Sequence, residues 1–119
     1  MSNIPLHPIT SYNGFWPFYL QEHSKPATRR WHFAGTFAAM ICVTLAMALR
    51  NPWLLIGAVI AGYGPAWVGH FVVENNQPAT FHYPLWSLIS DFRMTFYWLA
   101  GKLPRELNKA GIAPRDSGS

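Results

Sequence analysis

The sequence predicts an all-α integral membrane protein: a two-span helical hairpin flanked by an interfacial helix and an amphipathic helix. Composition is the first reason. Half of the 119 residues are hydrophobic and only 12% are charged, against about a quarter charged in soluble domains. The second reason is a pair of long runs without formal charge in mid-chain, joined by a turn. The third is the placement of the basic residues outside those runs. Lys25, Arg29 and Arg30 precede the first run, Arg93, Lys102, Arg105, Lys109 and Arg115 follow the second, and Arg50 alone lies between them. This asymmetry is what the positive-inside rule yields when both termini are cytoplasmic. The net charge of +4 therefore flanks spans instead of forming a stripe, which argues against nucleic-acid binding. A chain this short has room for one domain, so 1–119 is read as a single membrane domain.

The elements follow in order. Residues 1–13 form an irregular leader. Phe15–Glu22 is a short aromatic helix with Pro17 in its first turn, and Trp16 and Tyr19 suit the headgroup zone. Ser24-Lys25-Pro26 breaks that segment, and Pro26 fits the first turn of the next helix. The first span runs roughly over 31–49, built on the 17 charge-free residues Phe33–Leu49 and extended by Trp31 at the interface. Arg50-Asn51-Pro52 is a turn. The second span, 53–73, holds 21 residues with His70 as its one group that titrates near neutral pH, and Gly62, Gly64 and Pro65 predict a kink or unwinding near its middle. After a polar loop at 74–80, Tyr83-Pro84 starts a helix over roughly 84–103. It is amphipathic, lying along the interface or packing back as a third span. Asp91 and Arg93 read there as a structural pair, and the aromatic residues of 81–98 as an interfacial belt. From Pro104 the chain reads as a loose tail.

Cys42 is the single cysteine. This rules out an intrachain disulfide and a cysteine zinc site, and the residue reads as a small buried apolar group. The first residues lack a basic region followed by an apolar stretch, so no cleavable signal is expected, and no lipidation pattern is present. The spans are then the membrane attachment.

The residues that invite chemistry gather at one end of the hairpin. With Asn51 as apex, His32 lies 19 residues before it and His70 lies 19 residues after it. Two antiparallel helices rising about 1.5 Å per residue bring these imidazoles to one depth. His70 and Glu74 are spaced i, i+4 and share a face. Gly35, Thr36 and Ala39 on one helix, and Gly62 and Ala66 on the other, are small enough for close backbone approach. The chain break at Ser24–Pro26 lets His23 fold over the cluster, and His82 is a further candidate from the opposite side. Imidazoles and a carboxylate without a thiolate suit iron(II), manganese or zinc, and with open positions suit a non-haem iron oxygenase especially. Spacing alone leaves a second reading open, in which interfacial histidines bond headgroups or backbone carbonyls. Arg29 and Arg30 sit at the same membrane end, either to hold an acidic headgroup or as cytoplasmic anchors.

The string Gly69-His70-x-x-x-Glu74-x-Asn76-x-Pro78-Ala79-Thr80-Phe81, continuing as Tyr83-Pro84-Leu85-Trp86-Ser87-Leu88 and Asp91-Phe92-Arg93-Met94, is long and specific. With Tyr19-Leu20-x-Glu22-His23 and Arg30-x-His32-x-x-Gly35 upstream, it resembles the 2-hydroxy fatty acid dioxygenase family. These are small membrane proteins long catalogued as a domain of unknown function, and the resemblance covers roughly residues 15–100. It implies an iron(II)-dependent dioxygenase that shortens a 2-hydroxy fatty acid by one carbon with loss of carbon dioxide. It implies His23, His32 and His70 as metal ligands and catalytic residues, and Glu74 as a fourth ligand or a group orienting a histidine. Arg29 or Arg30 would receive the substrate carboxylate. The implied partners are the lipid bilayer, the hydroxy acid and oxygen, and the small-residue faces also allow a homo-oligomer. The form of the motif points to a bacterial inner membrane. Two rivals stand beside this reading: a non-enzymatic membrane assembly module and a zinc-dependent lipid hydrolase.

Overall fold

The computed structural model describes residues 8–112. Most of the expected leader, Arg115 and the end of the expected tail lie outside them. The described residues form helices only: α1 (Tyr12–Gln21), α2 (Pro26–Ala48), α3 (Trp53–Val68), a π-helical turn (Gly69–Glu74), a 3-10 turn (Ala79–Phe81), α4 (Pro84–Leu99) and α5 (Leu103–Lys109). The all-α fold with a two-helix hairpin is thus what the sequence predicts.

α2 opens on Pro26, whose missing N–H is no loss in the first turn. Its 23 residues, and the 22 residues of α3 with the π-turn, are each apolar and long enough to cross a membrane, at about 33 Å against a hydrocarbon core of about 30 Å. The connection is tight. Arg50 takes the left-handed conformation at φ 52°, and the Asn51 side chain accepts from the Trp53 N–H at 3.1 Å. Glycine fixes the helix separation: a Cβ on Gly35 would lie 2.6 Å from the Gly62 carbonyl oxygen, closer than backbone can tolerate.

Four expectations change. The irregularity predicted near Gly62–Pro65 falls later. α3 remains helical through Pro65, and the chain widens into a π-turn at Gly69–Glu74. Gly62 serves the interhelix contact instead. The aromatic helix turns Phe15, Trp16, Tyr19 and Leu20 to the interior, where they are buried. Phe15 packs against both Tyr83 and Trp86, so several aromatic residues form an internal core rather than a belt. The last helix breaks near Gly101 (φ +73°). Finally, the expected loose tail begins as α5, with Leu103 and Leu107 fully buried because they close the same core.

α4 is amphipathic in an inverted sense. Ser87, Ser90, Met94 and Thr95 face inward and are buried, whereas Leu85, Leu88, Ile89, Phe92, Phe96 and Leu99 are exposed. An apolar stripe of this size on the outside suits lipid rather than water.

Candidate metal centre

Three histidines from three segments converge where α1, α2 and the π-turn meet. His23, His32 and His70 are all buried, and one ring nitrogen from each lies within 4.8 Å of the others. His32 Nε2 and His70 Nε2 are 3.3 Å apart. Two imidazoles bound to one ion at about 2.1 Å place their nitrogens roughly 3.0–3.4 Å apart for angles from octahedral to tetrahedral.

Each imidazole turns its other nitrogen to an oxygen. His23 Nδ1–H donates to the Tyr19 carbonyl at 2.6 Å. His70 Nδ1–H donates to Asn76 Oδ1 at 2.7 Å, and the orientation of that amide follows from its Nδ2, which donates to the carbonyl and carboxylate of Glu22. His32 Nδ1 lies 3.5 Å from Asp91 Oδ1. With protons assigned to Nδ1 by these partners, the three Nε2 lone pairs all face inward. His23 Nε2 is buried without a hydrogen-bond partner. Converging, unprotonated, desolvated nitrogens repel one another unless a cation lies among them. The chamber they line, with Tyr63, Ser87 and Asp91, has about 20 Å³ of free volume, enough for one water or one ion. The residues present therefore fit a single metal ion, held by three imidazoles whose outer nitrogens are oriented as in characterised metal sites.

Electrostatics around the centre agree. Burial holds His23 well below the ordinary imidazole range, and its two neighbouring histidines push the same way, so it stays neutral and available as a ligand. Burial raises the Asp91 carboxyl to about 7, opposed by the Tyr19 hydroxyl that donates to it at 2.5 Å. Tyr19 thus braces two of the three imidazoles, His23 through its carbonyl and His32 through Asp91.

The other sequence candidates lie elsewhere. Glu74 does not reach the three nitrogens. Its carboxylate accepts from the Lys25 N–H at 2.6 Å and from the Ser24 and Thr28 hydroxyls, so it ties the π-turn to the start of α2. The first-turn N–H groups of a helix have no intrahelical partner and attract a carboxylate. Arg29 is fully buried and donates to the His23 and Ser24 carbonyls at 2.7 and 3.0 Å, which fixes the bend that delivers His23. Arg30 and His82 are exposed. Asp91 does not pair with Arg93, because residues two apart on a helix do not share a face. Arg93 instead lies 4.0 Å from the Trp16 ring centroid and 3.9 Å from Glu106.

Asn76, Asp91 and Tyr19 escaped the sequence reading as supports of the centre. Asn75-Asn76 carried a usable signal, since asparagine tolerates the left-handed conformation. Asn75 adopts it at φ 61° and turns the chain so that the Asn76 N–H donates to the His70 carbonyl at 2.9 Å.

A second cavity lies beside the first. A cleft of about 370 Å³ runs between α2, α3 and α4, and His32, Tyr63 and Asp91 line both spaces. Its remaining walls are apolar apart from Thr36.

The model of the Mpo1-like family, described as 2-hydroxy-palmitic acid dioxygenase Mpo1-like, matches residues 9–103. No curated protein and no solved structure matches the chain. The family match spans all three histidines, Asn76, Asp91 and the helices that carry them, and the chain belongs to the Mpo1-like family.

Proposed function

We propose that this protein is an iron(II)-dependent dioxygenase of 2-hydroxy fatty acids, with His23, His32 and His70 as the ligands. The observation that carries the reading is the convergence of three buried imidazoles, two with Nδ1 hydrogen-bonded to an oxygen acceptor and the third with Nδ1 3.5 Å from the Asp91 carboxylate. The family's description supplies the substrate class. Nitrogen ligands without thiolate suit iron(II), and a bound iron supplies the oxygen activation that side chains cannot.

The reaction balances with oxygen as sole oxidant. A 2-hydroxy acid plus O2 gives the acid one carbon shorter, carbon dioxide and water. The C1–C2 bond breaks, C2 is oxidised to a carboxyl group, C1 leaves as carbon dioxide, and O2 is reduced.

The chain's own residues prepare the site. Tyr19 and Asn76 hold the Nδ1 protons of His23 and His70, which leaves their Nε2 atoms unprotonated, and the Asp91 carboxylate faces Nδ1 of His32. Arg29 and Glu74 act at one remove: Arg29 fixes the His23 bend and Glu74 anchors the π-turn that carries His70. Arg30 serves as a headgroup anchor at the membrane surface. Burial of all three imidazoles excludes water from the ligands.

Protein purified without oxygen should carry one iron per chain and, on addition of oxygen, convert 2-hydroxyhexadecanoate to the fifteen-carbon acid, read by mass spectrometry. Stoichiometric zinc with hydrolysis of ester lipids, or no metal at all, would overturn the proposal.

A further inference from the structure

The 20 Å³ chamber among the histidines admits an ion but no fatty acid, whereas the neighbouring 370 Å³ cleft is large enough for a chain of many carbons. We propose that this cleft between α2, α3 and α4 is the acyl-chain site, and that Val43 and Leu55 at its apex end set the chain length accepted. The proposal rests on the dioxygenase reading for the chemistry of the head group only.

Continuity is the first argument. His32, Tyr63 and Asp91 line both spaces, so a molecule in the cleft has one end against the metal centre. The second argument is the chemistry of the walls. The floor is hollowed by small residues, Ala39 and Ala58 from facing helices and Gly62, where a Cβ would already meet Ala39 at 3.3 Å. Leu88 and Phe92 of α4 form the third wall. Beyond His32, Asp91 and the Thr36 and Tyr63 hydroxyls such a lining offers a polar head nothing, and it offers methylenes contact along its length.

Length decides the class of occupant. From His32 to Val43 the cleft follows α2 for eleven residues, about 16 Å. Half of a hydrocarbon core of about 30 Å is the reach of one leaflet's acyl chain. The cleft therefore fits a long-chain acid whose head is at the histidine end and whose tail is near the hairpin apex. Its rim is open: Val43 and Leu55 are 39% and 47% exposed, so a chain can enter sideways from lipid.

The test uses the full-length, metal-free chain in lipid nanodiscs and a 2-hydroxyhexadecanoate bearing a diazirine on its terminal carbon. Photolysis and peptide mapping should place the label around Val43 and Leu55, with displacement by unlabelled 2-hydroxyhexadecanoate. V43W with L55W should cut that labelling at least tenfold, while a twelve-carbon probe labels the cleft as before. M47W, on an exposed position outside the cleft, should change neither. Label spread over the outward Ile56 and Ile60, without displacement, would overturn the proposal from the wild type alone.

Turnover separates the two readings. If the wild type oxidises 2-hydroxy acids and V43W/L55W keeps the wild-type chain-length profile, the acyl site falls and the reaction stands. If the label maps to the cleft but no 2-hydroxy acid is oxidised at any chain length, the acyl site stands and the reaction falls.

Discussion

The two halves of the hairpin are built on opposite rules. At the histidine end α2 buries Thr28, Arg29, His32, Gly35 and Thr36, and the π-turn and α4 pack against it. Toward the apex α2 buries only Ala46, and Ile41, Met47, Leu49, Trp53, Ile56 and Ile60 are all more than half exposed. In water this arrangement would leave a large sticky surface on one half and costly buried polar groups in the other. In a bilayer the apex half needs no cover, since lipid is as apolar as leucine. The chain therefore concentrates its tertiary contacts where polar groups must be desolvated and held. Substitutions at the two ends should consequently have very different effects.

The largest effect belongs to the three proposed ligands. H23A, H32A or H70A should each lower bound iron by more than about a hundredfold, measured by metal analysis of protein purified without oxygen, while circular dichroism retains the helical signal. Retention of full iron by both H32A and H70A would remove the helix-bridging centre. The supporting groups come next. N76A and D91N should each weaken metal binding by about ten- to a hundredfold, read by competition with a chelator, because an imidazole with a free Nδ1 loses its orientation and tautomer.

Packing at the helix crossing follows. G35A forces a Cβ to within 2.6 Å of a backbone oxygen, and should destabilise the hairpin by about 1–3 kcal/mol in a thermal unfolding assay in detergent. G57A in the apex half has open space around its Cα, and should be neutral or slightly stabilising through helix propensity. Equal effects of the two would erase the contrast between the halves.

Acid gives a smaller, graded effect. The pKa of His23 lies well below 6.5 in the folded chain, so below pH 6.5 the unfolded chain binds a proton that the folded chain refuses. Stability of the metal-free protein should therefore fall as pH drops below 6.5, by about 1.4 kcal/mol per pH unit at most for this group. H23Q should flatten the slope. The smallest effect is expected at the apex surface, where I60V should leave stability within about 0.5 kcal/mol.

Much of the centre was legible before any coordinates. Equal counts from Asn51 place His32 and His70 level, and their Nε2 atoms are 3.3 Å apart. This works because helix rise is regular and a short turn fixes the register. Glu74 shows where counting stops. Sharing a helix face with His70 says nothing about which partner a carboxylate finds, and Glu74 takes the Lys25 N–H and the Ser24 and Thr28 hydroxyls at the start of α2. The same holds for the aromatic helix. Its composition suits an interface, yet Phe15 and Trp16 are buried because α4 and α5 offer them a partner.

The sequence by itself determined the helical hairpin, its apex and the depth of two histidines, because hydrophobic runs, turn residues and helix rise are local properties. Only the tertiary structure decided that Asn76 holds His70, that Tyr19 and Asp91 brace His23 and His32, and that a cleft opens beside them. Those contacts join residues 4 to 72 positions apart, and their geometry depends on how α1 and α4 dock. That docking depends on shape and on satisfying buried polar groups, which no spacing along the chain records.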